Sequence, residues 1–414
     1  MKKHLYFDHS ASTPVNKAVL KSMLPYFTEL YGNPSSIHTV GQEAMKGVDD
    51  AKNSISQYFK CKPDELIFTS GATEANNLAI IGIIKALEKK WPGQKFHTIT
   101  SVIEHDSVLE PFGAIQKMGH EVSHISVDHR GVVKLNELKA AIKDNTVFIS
   151  IMQVNSEVGS IQPIREIGKI VKKANEARLK IWQKDRSNAR GEKPQPIIFH
   201  TDATQGINFL PLNVNDLNLD TFSMSAHKIY GPKGVGLLYV RQGTPIIAQI
   251  VGGHHQNNRR SGTLNTAGIV GLAEAIKQIS PEVQEKTNKE IAVVRDYLIE
   301  GLIKKIPNIV LNTAREISTP AHAHFSFIGV EGESILIALD LEGIAVSTGS
   351  ACASNSLKAS HVIVAMGIKV EVAHSSIRFS LGKMNTTKDV DVLLKKLPPI
   401  IKRLRSFNPL YNKK

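Results

Sequence analysis

The chain is poor in cysteine: 414 residues carry only two, Cys61 and Cys352. Two thiols build no disulfide framework and fit a reducing compartment, so the cytoplasm is the expected location. Long apolar runs are missing too. None approaches the roughly 20 residues that a membrane span needs, which excludes a helical membrane protein. The start, MKKHLYFDHS, has two lysines but no apolar stretch and no small-residue cleavage site, so no secretory signal is expected. There is no internal repeat, no low-complexity linker and no zinc-finger spacing. The pair His254–His255 in GGHHQNN has no further Cys or His to complete a ligand set, so no metal is expected.

What is present is ordinary for a globular protein: 42% hydrophobic and 21% charged residues, in a chain long enough for two domains. Lys and Arg number 51 against 38 Asp and Glu, a net charge of +13. The basic residues are spread along the chain without the aromatic interleaving of RNA-binding proteins. That pattern fits a basic enzyme that favours anionic small molecules or an acidic partner, not a direct binder of nucleic acid.

Over the first two thirds, short β-rich runs alternate with amphipathic helical stretches. The runs are ELIFTS (Glu65–Ser70), FHTITS (Phe96–Ser101), TVFISIM (Thr146–Met152), IIFHT (Ile197–Thr201), TFSMS (Thr221–Ser225) and VGLLYV (Val235–Val240). Helical patterns include Asn76–Lys90 and Leu135–Ile142. The alternation predicts an α/β domain around a mostly parallel sheet. After about Thr263 a long charged helical region, Ser280–Ile306, leads to AHFSF, IAVST and SIRFS and a final helix from about Lys388, which reads as a smaller α+β domain. Arg178–Pro196 carries six basic and two acidic residues and reads as an exposed basic loop.

Chemistry concentrates at the predicted strand ends. FHTDATQG places Asp202 at the carboxyl end of a strand, where open α/β sheets bind ligands. FSMSAHKIYGPKG places Ser225, His227 and Lys228 at another. A lysine there suits a Schiff base with an aldehyde cofactor. Beside Asp202, it suggests pyridoxal phosphate, whose pyridinium nitrogen needs an acidic partner. Lys233 is the rival lysine, within the turn. In FTSGATEANN a strand ends and a helix begins, so the helix's first N–H groups and the Thr73 hydroxyl make an anion cradle, to which Thr263 in RRSGT could add another hydroxyl.

These segments, with DHSASTP, YGNPSS, EHDSVL, VNSEVG, STGSACAS and AHSSIRFSLG, run in order from Asp8 to Gly382. So ordered, they resemble the cysteine desulfurases of the pyridoxal-phosphate class-V aminotransferase group, in the group-I version of the cysteine loop. The resemblance implies the type I fold of pyridoxal-phosphate-dependent transferases. A large domain at 15–262, with a mostly parallel sheet of the seven-stranded type, would be joined by a smaller α+β domain made of 1–14 and 263–414. It implies that Lys228 holds the cofactor covalently, Asp202 pairs with the pyridinium and Gln205 bonds the phenolic oxygen. Thr73, Ser225 and His227 would bind phosphate, with Thr263 reaching in from a second subunit of a homodimer. His105 would stack on the ring as an acid/base. Asn155, at the cofactor, and Arg378 would hold the substrate, L-cysteine; an arginine's planar fork suits a carboxylate.

The resemblance also gives Cys352 a task. Its thiolate would take the substrate's sulfur as a persulfide, releasing alanine. It would then pass the sulfur to an iron–sulfur scaffold protein or another acceptor such as a tRNA-thiolation enzyme, with at most transient contact to a cluster. The glycine, serine and alanine neighbours in STGSACASNS suit a thiol that must reach two places. Cys61, in FKCKPDEL, matches no motif and reads as a packing residue. Two other readings are open at this point: a selenocysteine lyase or another class-V enzyme, and a non-catalytic sulfur-relay or nucleic-acid interaction protein. The last would lack a use for Lys228, Asp202 and His105 together.

Overall fold

The computed structural model describes residues 4–185, 194–349, 359–408 and 411. Its centre is a seven-stranded sheet. The strands are β2 (Leu66–Thr69), β3 (His97–Ser101), β4 (Glu121–Ile125), β5 (Thr146–Ser150), β6 (Ile198–Asp202), β7 (Thr221–Ser225) and β8 (Gly236–Val240). They lie in the order β2-β8-β7-β6-β5-β3-β4. From β7 through β6, β5 and β3 to β4 every neighbour is parallel; β8 runs antiparallel to both β7 and β2. The mostly parallel α/β sheet expected from the sequence is therefore present. β5, β6, β7 and β8 are buried along their whole length. That is why they read as short continuous apolar or β-branched runs: helices cover both faces of such a sheet.

β4 has no counterpart among the runs picked from the sequence. Its residues, EVSHI, are half-exposed at the sheet's edge, so it lacks the apolar continuity that marks the inner strands. The Arg178–Pro196 expectation needs correction. The helix Ile164–Asp185 continues through its first half, and Arg178 donates to the carbonyl oxygen of Thr146 at 2.7 Å. A half-buried arginine capping a strand end looks, in sequence, like a residue of a charged loop. Of the rest of that stretch, 186–193 lies outside the described residues.

A second core gathers around a three-stranded antiparallel sheet of β9 (Ile309–Leu311), β10 (His322–Phe327) and β12 (Ser376–Ser380), in the order β12-β10-β9. The helices Pro281–Lys305 and Thr387–Ser406 pack together beside it through Leu298, Leu302, Leu393 and Leu397. The chain's start joins this core: β1 (Leu5–Tyr6) pairs in parallel with β11 (Ile344–Ala345), and Phe7 is fully buried in it. The next residues, Asp8 to Thr13, cross back to the large sheet, where the Thr13 N–H donates to the His227 carbonyl at 2.9 Å. The N-terminal segment thus lies between the two cores, at the carboxyl ends of the parallel strands.

Candidate functional site

The carboxyl ends of β2, β3, β5, β6 and β7 surround a cavity of about 480 Å³. Seven of the anticipated residues line it: Thr73, His105, Asp202, Gln205, Ser225, His227 and Lys228. Each comes from a strand end or the turn after it. Lys228, in a short 3-10 turn after β7, is oriented by the N-terminal crossing segment. Its Nζ donates to the carbonyl oxygens of Ser10 and Ala11, the latter at 2.9 Å. Gln205 donates to the same Ser10 carbonyl at 2.9 Å. Lys233 also lines the cavity but is exposed.

Asp202 closes β6 and is buried. One carboxylate oxygen accepts the Thr204 N–H at 2.9 Å and the other accepts Asn76 Nδ2 at 2.8 Å. Asn76 Nδ2 also donates to Ser107 Oγ at 2.9 Å. Ser107 in turn meets His105, whose Nδ1 accepts the Ser107 N–H at 3.0 Å. A ring nitrogen that accepts from an amide is unprotonated, so the neutral imidazole carries its proton on Nε2. His105 is therefore fixed as the N-cap of the helix Asp106–Lys117 and tied through Ser107 and Asn76 to Asp202.

At the other side of the cavity the helix Ala72–Lys90 starts at Gly71 with no side chain capping it. Its first N–H groups have no intrahelical partner, which makes an anion site together with the helix dipole. Thr73 lies in that first turn. Glu74 lies there too, but its charge is offset by Arg260 of RRSGT at 2.9 Å. Under the turn, a side chain on Gly236 would bring its Cβ within 2.6 Å of Gly71 backbone atoms, so only glycine lets β8 pass this closely. His227 meets Ser12 Oγ at 3.3 Å. Burial, then the charges of Lys228 and Lys233, push His227 down to about 4, so it is neutral at pH 7.

Three anticipated residues stand outside the cavity wall. Asn155 is buried, with Oδ1 accepting the N–H groups of Glu157 and Val158 and Nδ2 donating to the Ile103 carbonyl. Arg378 lies on β12, donating to the carbonyl of Ser156, a cavity residue, at 3.0 Å and pairing with Asp8 at 2.7 Å. Thr263 is exposed and lines a separate hollow with Phe27 and Tyr31. Cys352 lies outside the described residues. Cys61 is half-buried, and burial pushes its thiol up to about 12, which leaves it unreactive.

The chain resembles known proteins over nearly its whole length. Residues 5–181 and 188–393 match the family described as Aminotransferase class-V. The chain belongs to the class-V aminotransferase family. Within it, the chain is 44% identical over 409 residues to the cysteine desulfurase IscS of Dictyoglomus turgidum, covering 99% of this chain and 97% of that one. It is 42% identical to the cysteine desulfurase IscS of Methanosarcina thermophila, covering 99% and 94%. Among solved structures, a NifS-like protein superposes with a TM-score of 0.85 at 36% identity, covering 97% of this chain and 100% of that one. SspA in complex with cysteine gives 0.76 at 32% identity, over 92% and 100%.

Class-V enzymes of this kind depend on pyridoxal phosphate. The residues present fit that group. An amine, a buried carboxylate and an uncapped helix start face one cavity; Thr204 Oγ1 at its wall, and Asn76 Oδ1 behind Asp202, are buried without a partner among the described residues. No cluster of metal-ligating side chains occurs among the described residues. Sequence reasoning missed Asn76, Ser107 and Gly236. Asn76 had a signal: it sits one helical turn after Thr73, hence on the same face of the helix.

Proposed function

We propose that the chain is a cysteine desulfurase. It converts L-cysteine to L-alanine and leaves the sulfur as a persulfide on Cys352: cysteine plus the thiol gives alanine plus Cys352–S–SH, which balances in atoms and charge. The observation that carries this reading is the convergence of Lys228, Asp202 and the uncapped helix start on one cavity, in a chain 44% identical to a named desulfurase.

When bound, pyridoxal phosphate supplies the electron sink that lets an amino acid lose its Cα proton. The protein's part follows from its own groups. Lys228 would hold the aldehyde end, and Asp202, oriented by Asn76 and Thr204, would pair with the ring nitrogen. Gln205 would bond the phenolic oxygen, and Thr73, Ser225, His227 and the first N–H groups of the helix at Ala72 would hold the phosphate. His105, which lines the cavity with its proton on Nε2, would stand beside the ring as the acid/base. Arg378, beside Ser156, receives the substrate carboxylate together with Asn155, and Cys352 acts as the sulfur nucleophile. A working thiol fits a reducing compartment such as the cytoplasm. Among the described residues no helix is long and apolar enough to cross a membrane.

The protein acts as a homodimer. Leu20, Leu24, Phe27, Tyr31 and Ile37 are each about half exposed or more, an unusual density of bare apolar side chains. Phe27 and Tyr31 share a hollow with Thr263, so a partner covering this face would receive the Thr263 hydroxyl at its own phosphate site. The persulfide then passes to an iron–sulfur scaffold protein or another sulfur acceptor. Purified protein given L-cysteine and a reducing thiol tests the reading: it should release alanine and sulfide in equal amounts, and an amino-acid decarboxylation or transamination without sulfide would overturn it.

A further inference from the structure

Glu104 precedes His105 at the turn after β3, and no role above uses it. Its side chain is fully buried. Oε1 accepts the Ser101 hydroxyl at 2.5 Å and the Met152 N–H at 3.0 Å, while Oε2 is buried without a partner among the described residues. Its backbone carbonyl meets His361 Nε2 at 3.0 Å. One residue therefore joins the end of β3, the end of β5 and the helix His361–Ala365, directly beside the histidine that lines the cavity. The choice of a carboxyl here is costly unless it is neutral, because a bare Oε2 has nothing to solvate a charge. The ionisable groups facing it are Asp202 from β6, His105 next in the chain, and His361 at its carbonyl. Burial first, and Asp202 after it, push the acid up to about 8 against the lowering effect of Ser101, Met152 and His105.

We propose that Glu104 is a positioning residue for the desulfurase reaction: clamped to Ser101 and Met152, and through its carbonyl to His361, it fixes where His105 stands over the cofactor without adding a negative charge beside Asp202. This rests on the functional reading above. It explains why a carboxyl and not an apolar side chain occupies the place: only a group with an acceptor there satisfies both the Ser101 hydroxyl and the Met152 amide.

The test uses the full-length holoenzyme and two variants. Glu104→Ala loses both hydrogen bonds, so kcat with L-cysteine falls about tenfold or more while KM changes little and the visible absorption of the bound cofactor persists. Glu104→Gln keeps a neutral acceptor and restores most of the lost rate. Wild-type kcat in Glu104→Ala, or a Gln variant as slow as the Ala variant, overturns the proposal. A second arm needs no turnover: melting of cofactor-free protein between pH 5 and 9. A carboxyl raised from its ordinary range to about 8 contributes stability that is present below the unfolded value and lost as pH rises through 8. Glu104→Gln removes that loss, so its melting temperature gains on wild type as pH rises. Parallel curves overturn the proposal. A wild type inactive on L-cysteine would sink the desulfurase reading and leave Glu104 to be judged by the melting arm alone.

Discussion

Asp8 and Arg378, which the chain separates by almost its whole length, pair at 2.7 Å. The arginine side chain is only 4% exposed, so its charge is compensated inside the protein by Asp8 and the Ser156 carbonyl. Removing one partner of a buried pair strands the other at a cost of about 3–5 kcal/mol. Asp8→Ala is expected to lower unfolding free energy by an amount of that order, measured by urea denaturation. Asp8→Asn, which keeps an acceptor, should cost less; equal midpoints for all three proteins would show that the pair contributes nothing.

Asn76 bridges Asp202 and Ser107. A hydrogen bond to a buried carboxylate is worth about 1.5–3 kcal/mol, so Asn76→Ala should weaken pyridoxal-phosphate retention by about tenfold to a hundredfold. Absorption of the bound cofactor after dialysis against increasing volumes reads this directly. Retention as strong as in wild type would remove Asn76 from the cofactor's support.

Gly236 is the point where β8 passes the phosphate turn. A methyl group there meets Gly71 backbone atoms at 2.6 Å, and neither strand nor turn can yield cheaply. Gly236→Ala should lower stability by about 1–3 kcal/mol and loosen the cofactor at the same time. A loss of stability with unchanged cofactor affinity would mean that the turn does not hold the phosphate.

Acid should weaken the fold. Burial holds His200 at about 4 and His322 and His324 at about 3, well below the ordinary histidine range. Between about pH 6.5 and 4 the unfolded chain binds protons that the folded one refuses, so stability falls as pH falls through that window. The melting temperature of cofactor-free protein at pH 5 is expected below that at pH 7. His324→Asn should flatten the slope, since the His324 ring has its Nε2 buried without a partner among the described residues. A curve level from pH 7 to 5 would contradict the burial assigned to these rings.

Much of this was legible in the chain. Inner strands such as TFSMS and VGLLYV are short, apolar or β-branched and bounded by turns, because both their faces are covered. Lys228 and Asp202 stood out because they interrupt such runs at their carboxyl ends. The edge strand Glu121–Ile125 did not, since one side of it meets water and its residues alternate weakly. Arg178 looks like a loop residue in sequence because charge alone does not reveal that its guanidinium caps the Thr146 carbonyl. Asn76 and Glu104 act through partners distant in sequence, and such pairings appear only once the strands are side by side.

In the proposed reaction Lys228 and Cys352 serve one step in which sulfur leaves L-cysteine for the protein. Mass spectrometry of the intact protein after brief exposure to L-cysteine, without reductant, checks this. The wild-type protein is expected to gain the mass of one sulfur atom, mapping to the peptide of Cys352 and absent from both Lys228→Ala and Cys352→Ala. A wild-type protein that releases alanine while its mass stays unchanged, or a Cys352→Ala variant that still gains the sulfur, would contradict it.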